Sequence, residues 1–323
     1  KRRIDSGGLF YLLFVLFTYL LSREILPKSA AILATTASTV LYCYYYIEVF
    51  PMGFAFITFP LVFYLYFKYS KGKSVNLGIL LTVLVVLMAF FHPVASFALI
   101  VALVIMELCK PLFDRLYSGK REHAQSSPSW MQQVSLHLPI ISFAVLMLWI
   151  WNHFSVWNSA VSSVVSWFHF EFLVAPMTET AIESFAILGL GPLEQLELFI
   201  KMYGHYFIYA ILSLIAIIMI ARKRISLPSK DIRSIFLFSC FFLPATAVWL
   251  IDYVRPLTGL SSGRIIFLVT ALFPSLVGLA LYKIGGMQPA RNEEATNEHL
   301  SRASKGKLTK AVSVGLIITI CSL

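Results

Sequence analysis

Between Lys71 and Lys110 two apolar runs meet at one polar corner, His92-Pro93, and this arrangement restricts the fold more than any other stretch. Leu77 to Phe91 is apolar apart from Thr82, and Val94 to Met106 is apolar apart from Ser96, while Lys71, Lys73 and Lys110 close the outer ends. Proline has no N–H and disfavours helix in the residue before it, so the helix breaks at His92. About 20 residues at roughly 1.5 Å each cover a hydrocarbon core of about 30 Å. The 15 residues from Leu77 to Phe91 therefore cross only if the corner lies slightly below the far surface. Cations at both outer ends belong on the cytoplasmic side, which sends His92 to the opposite face.

Composition extends this local reading to the whole chain. Hydrophobic residues make up 59%, charged residues 13%, and mean hydropathy is +0.80, values of a polytopic all-α membrane protein. The net charge of +10 sits in short loops between apolar runs, which suits lipid headgroups and excludes a nucleic-acid reading. Cys43, Cys109, Cys240 and Cys321 lie scattered in or beside those runs without metal-ligand spacing, so free thiols are expected.

Taken in order, the spans are expected at 7–22, 30–47, 52–67, the two arms of the corner, 136–151, 202–220, 235–251 and 265–282. This makes about nine complete spans, with a truncated tenth from Ala311. Pro139 falls in the first turns of its helix, where proline is tolerated. The chain begins Lys1-Arg2-Arg3 and stops inside an apolar run, as an internal fragment of a longer protein would. Residues 1–323 read as one transmembrane helical domain.

The loops 23–28, 68–73, 110–133, 221–233 and 283–310 hold 2, 3, 4, 5 and 6 Lys and Arg in turn, 20 of the 26 in the chain. The positive-inside rule makes these loops cytoplasmic in a multi-pass cell-membrane protein. Residues 158–200 contain no Lys or Arg but five Glu, as expected of an extracytoplasmic loop. Within it, Val161, Val164, Val165, Phe168 and Phe172 recur at helical spacing with Ser and His between them, the pattern of an interfacial helix. Pro192, after Gly189-Leu190-Gly191, is suited to start another helix.

With that orientation Glu48, His92 and Asp252 reach the outer surface together. Arg255 and Arg264 flank a Gly/Ser-rich turn from Gly259 to Gly263, and their guanidinium forks match phosphate. Arg264 also opens a span, where the helix N-terminus favours an anion. Each residue has a plainer reading: arginines snorkelling to lipid headgroups, His92 capping a turn, Glu48 solvated in a loop.

The run Glu48-Val49-Phe50-Pro51-Met52-Gly53, the corner His92-Pro93-Val94-Ala95-Ser96 and the late Ser262-Gly263-Arg264 together resemble the membrane core of prokaryotic polytopic glycosyltransferases of the GT-C superfamily. The resemblance implies transfer of a sugar from a polyprenyl-phosphate-linked donor at the outer face, often with a divalent metal. It also implies a key acid in the first external loop. No such loop precedes Gly7, so no catalytic base is assigned. Membrane lipid and a lipid-linked sugar are the partners implied, with Arg264, Arg255, His92, Glu48 and Asp252 as the substrate-binding set. A transporter or flippase for lipid-linked substrates stands as an alternative. It would use helices broken at Pro60, Pro244 and Pro274. A multi-span glycan polymerase or ligase would also place Arg and His on the outer face.

Overall fold

A computed structural model of the chain describes residues 6–40, 51–72, 74–117, 136–153, 158, 191–222, 229–254 and 272–285. Among these residues the fold is entirely helical, with nine helices and no strand. They are α1 (Ser6–Ile25), α2 (Lys28–Val40), α3 (Pro51–Gly72), α4 (Val75–Phe91), α5 (Pro93–Tyr117), α6 (His137–Trp151), α7 (Pro192–Ala221), α8 (Ser229–Val254) and α9 (Phe273–Ile284).

Three of them contain a stretch long and apolar enough to cross a membrane: Gly8–Ile25, Ala95–Phe113 and Gly204–Ala221. Val75–Phe91, His137–Trp151, Ile232–Ala247 and Phe273–Ile284 are apolar but shorter. Among the described residues, three of the nine spans expected from the sequence meet that length and composition. Burial supports the membrane reading independently. Leu9, Leu12 and Leu16 on α1, Ile79, Val83, Leu87 and Phe90 on α4, and Ile211, Leu214 and Ile218 on α7 are all exposed. Apolar stripes of this extent, at helical spacing, are faces for lipid and not for water.

Proline sets several helix starts. α3 begins at Pro51, α5 at Pro93 and α7 at Pro192, where the missing N–H would have had no intrahelical acceptor. The carboxylate of Glu194 folds back to accept the Gly191 N–H at 2.9 Å, closing the first turn of α7. α7 then runs unbroken through the span expected from Met202. α6 accommodates Pro139 in its first turn, as expected. α3 and α8 continue through Pro60 and Pro244, where the transporter alternative would break them. Neighbouring helices can absorb one lost backbone bond in a membrane bundle. The interfacial helix expected over Val161–Phe172 and the truncated tenth span lie outside the described residues.

Side-chain contacts fix the helix directions. α1 and α3 are parallel, because Phe10 meets Phe54 at 4.6 Å near their starts and Lys71 pairs with Glu24 at 3.0 Å near their ends. α2 runs back between those ends, with Tyr11 donating to the Thr39 carbonyl near its last turn. α4 opposes α3, since Thr58 Oγ1 lies 2.8 Å from Met88 Sδ and the rings of Phe54 and Phe91 stack at 5.7 Å. α8 opposes both α3 and α5, as its Phe238 meets Phe67 and Phe63, its Phe241 meets Phe63, and its Phe236 meets Phe113.

The bundle therefore has a corner end, where α4 passes to α5, and a basic end. On α1–α6, α8 and α9 every described Lys and Arg lies toward the basic end. The sequence grouped these cations by loops, and the helix directions bring them together independently.

Candidate functional site

His92 is the one sequence-nominated site residue whose side chain is described. Its backbone is extended (φ −160°, ψ 114°), and its N–H still donates to the Met88 carbonyl at 3.1 Å, ending α4. The same residue opens α5: its carbonyl accepts from Ser96 N–H at 3.0 Å, and its ring Nδ1 accepts from Ala95 N–H at 3.3 Å. With Pro93 as the first helical residue, Ala95 is the third, so the imidazole performs the work of an N-cap side chain. An accepting Nδ1 puts the proton of a neutral ring on Nε2. One turn further on, Ser96 Oγ is fully buried with no hydrogen-bond partner among the described residues.

The corner also reverses the chain. α4 rises about 25 Å over its length, and about 21 Å separates Pro93 from Glu107 along α5. Tyr66, near the basic end of α3, nevertheless donates its hydroxyl to Glu107 Oε1 at 2.8 Å. That bond forms only if α5 returns alongside α4 toward the basic end.

Asp252 lies in the last turn of α8, at the corner end, with its side chain outside the described residues. Glu48, Arg255 and Arg264 lie outside them entirely. The structure thus brings Asp252's helix end and His92 to the same end of the bundle.

A second polar centre, absent from the sequence reading, sits toward the basic end. Glu107 is 3% exposed, and its Oε1 accepts from Tyr66 of α3 and from Lys110 of its own helix at 2.5 Å. The Lys110 ammonium also stands over the Tyr66 ring, 5.3 Å from its centroid. Arg233 of α8 approaches closely enough to act electrostatically on Tyr66. A carboxylate, a phenol and two cations from three helices therefore gather in one buried site. A carboxylate flanked by Met106 and Leu108 inside an apolar run was the available signal, since such an acid needs a partner. Beyond the span, Lys68 donates to Tyr64 Oη at 2.7 Å, and this bond holds its ammonium above the ordinary lysine range.

Among the described residues no group of three or more His, Cys, Asp or Glu could hold a metal ion. Cys109 and Cys240 are free thiols, as expected.

No family model matches the sequence, and no curated protein matches it. Among solved structures the chain is similar to the oligosaccharyltransferase of Archaeoglobus fulgidus, crystallised tethered with an acceptor peptide containing the NVT sequon. The TM-score is 0.47 and the identity 12%, over 98% of this chain. The chain spans 43% of the length of that protein.

Proposed function

We propose that this chain is the membrane core of a GT-C-type glycosyltransferase-like protein, which transfers a sugar from a polyprenyl-phosphate donor at the outer membrane face. In this reading the basic end is cytoplasmic and the corner end faces out. Arg264, helped by Arg255, holds the donor phosphate, and His92, Glu48 and Asp252 line the same cavity. The observation that carries the reading is the polarity of the bundle. The helix starts at Pro51 and Pro93 and the last turn of α8 lie at the end opposite the clustered lysines and arginines. A neutral His92 whose Nδ1 accepts from Ala95 carries its ring proton on Nε2. The continuous course of α3 and α8 through Pro60 and Pro244 weighs against a transporter built on broken helices.

The test uses full-length protein in membrane vesicles, with transfer of labelled sugar from a polyprenyl-phosphate donor as readout. Arg264→Gln removes charge and fork, and a charge-assisted hydrogen bond contributes about 1.5–3 kcal/mol, so transfer falls by about 10- to 100-fold. Arg264→Lys keeps the charge and gives an intermediate loss. Unchanged transfer by a normally inserted Arg264→Gln protein would leave the arginine a headgroup anchor and remove its phosphate role.

A further inference from the structure

The seam between α5 and α8 brings two cysteines face to face. Cys109 of α5 and Cys240 of α8 are both free and partly buried, and their thiols interact across the seam. The pairing follows the register of the seam. Four residues beyond Cys109 on α5 is Phe113, four residues before Cys240 on α8 is Phe236, and these two rings meet at 5.4 Å. In two antiparallel helices, contacts that step forward by one turn on one helix and back by one turn on the other belong to a single face. The thiols therefore sit one turn inward from a ring pair that fixes the helices side by side. Among the described residues no His or carboxylate joins them to make a group of three, so a metal centre is not the natural reading.

We infer that Cys109 and Cys240 form a dithiol site for covalent modification, which a small apolar disulfide converts to an intramolecular cystine stapling α5 to α8. One protein thiolate attacks the reagent disulfide, forming a mixed disulfide and releasing one reagent thiolate. The second cysteine then attacks the protein sulfur of that mixed disulfide and releases the other reagent thiolate. Two electrons pass from the protein to the reagent, and the two thiol protons leave with the two released thiols. The staple ties α5, which starts at the His92 corner, to α8, which ends beside Asp252, so the redox state of the pair fixes how those two ends can move.

The experiment takes the full chain in detergent with Cys43→Ser and Cys321→Ser, and 4,4′-dithiodipyridine as the probe. Intact mass and peptide mapping follow denaturation. The expected result is a linked pair of peptides carrying Cys109 and Cys240, two released thiopyridones per chain and no retained pyridylthio group. Adding Cys109→Ser or Cys240→Ser leaves one thiol and one retained adduct. Moving the second thiol to the exposed face, with Cys240→Ser and Leu243→Cys, gives two retained adducts and no link. Two retained adducts on the native pair, unreactive thiols, or equal linking by the displaced pair would each overturn the proposal.

Discussion

Two seams hold this bundle together by opposite means. Where α9 crosses α2, the contact is made of small residues. A Cβ on Gly278 would stand 2.5 Å from Ala34 N and 2.6 Å from Ala30 O, so the two backbones touch. Ala30, Ala34 and Ala37 line the facing helix, and Ser22 of α1 shares a 2.9 Å hydrogen bond with Ser275 of α9. Where α8 crosses α3, the contact is made of rings: Phe63 and Phe67 meet Phe238 and Phe241 at 5.9 to 6.5 Å. Lipid tails are as apolar as leucine, so burying apolar area gives little drive between membrane helices, and contact quality decides. The small seam gains contact by closeness and tolerates no added atom. The aromatic seam gains it by area and leaves the backbones apart.

Gly278→Val tests the first seam and has the largest expected effect. The new side chain begins against backbone atoms that cannot rotate away, so α9 must leave α2. A loss of about 3 kcal/mol or more is expected, at or beyond the upper end of overpacking penalties. Titration of the purified protein with a denaturing detergent would read it, and native stability in that variant would break the comparison. Phe63→Ala tests the second seam. It removes a fully buried ring from between Phe59, Phe238 and Phe241 and leaves a cavity. The expected loss is about 2–3 kcal/mol, below the range in water because membrane burial lacks most of the transfer contribution. Recovery by Phe63→Leu, measured the same way, sharpens the distinction, since the aromatic seam has room to repack and the small seam has none. Ser275→Ala has the smallest effect, about 0.6 kcal/mol, the usual strength of a hydrogen bond between membrane helices.

The seams also show what the sequence could disclose. The His92-Pro93 corner, the start of α7 at Pro192 and the tolerance of Pro139 were legible because proline acts on its immediate neighbours. The clustering of cations was legible because loop charge tracks helix direction. Gly278 was opaque: a glycine in an apolar run does not name a partner 244 positions earlier, and only packing selects Ala34. Glu107 was hidden by its neighbour, since its i,i+3 spacing to Lys110 looks like an ordinary surface pair until Tyr66 arrives from α3. Pro60 and Pro244 left the transporter alternative open, because propensity weighs the missing bond and not the neighbouring helices that compensate for it. Of the candidate site, the sequence marked His92 at the corner, and the capping reading that it left open matches the imidazole contact with Ala95.

The burial of α9 bears on how the protein is made. From Phe273 to Tyr282 every residue is buried, so this helix shows lipid no side of its own. Its contacts are with α1, α2, α7 and α8, all of which precede it in the chain. At about 5–20 residues per second, roughly 12 to 47 seconds of translation separate the end of α2 from the emergence of Phe273. Throughout that interval the alanine face of α2 stands without its final neighbour, inside a half-built protein. The last described helix is therefore a closing piece, and a ribosome stalled before Phe273 would leave in the membrane an intermediate with an unfilled slot.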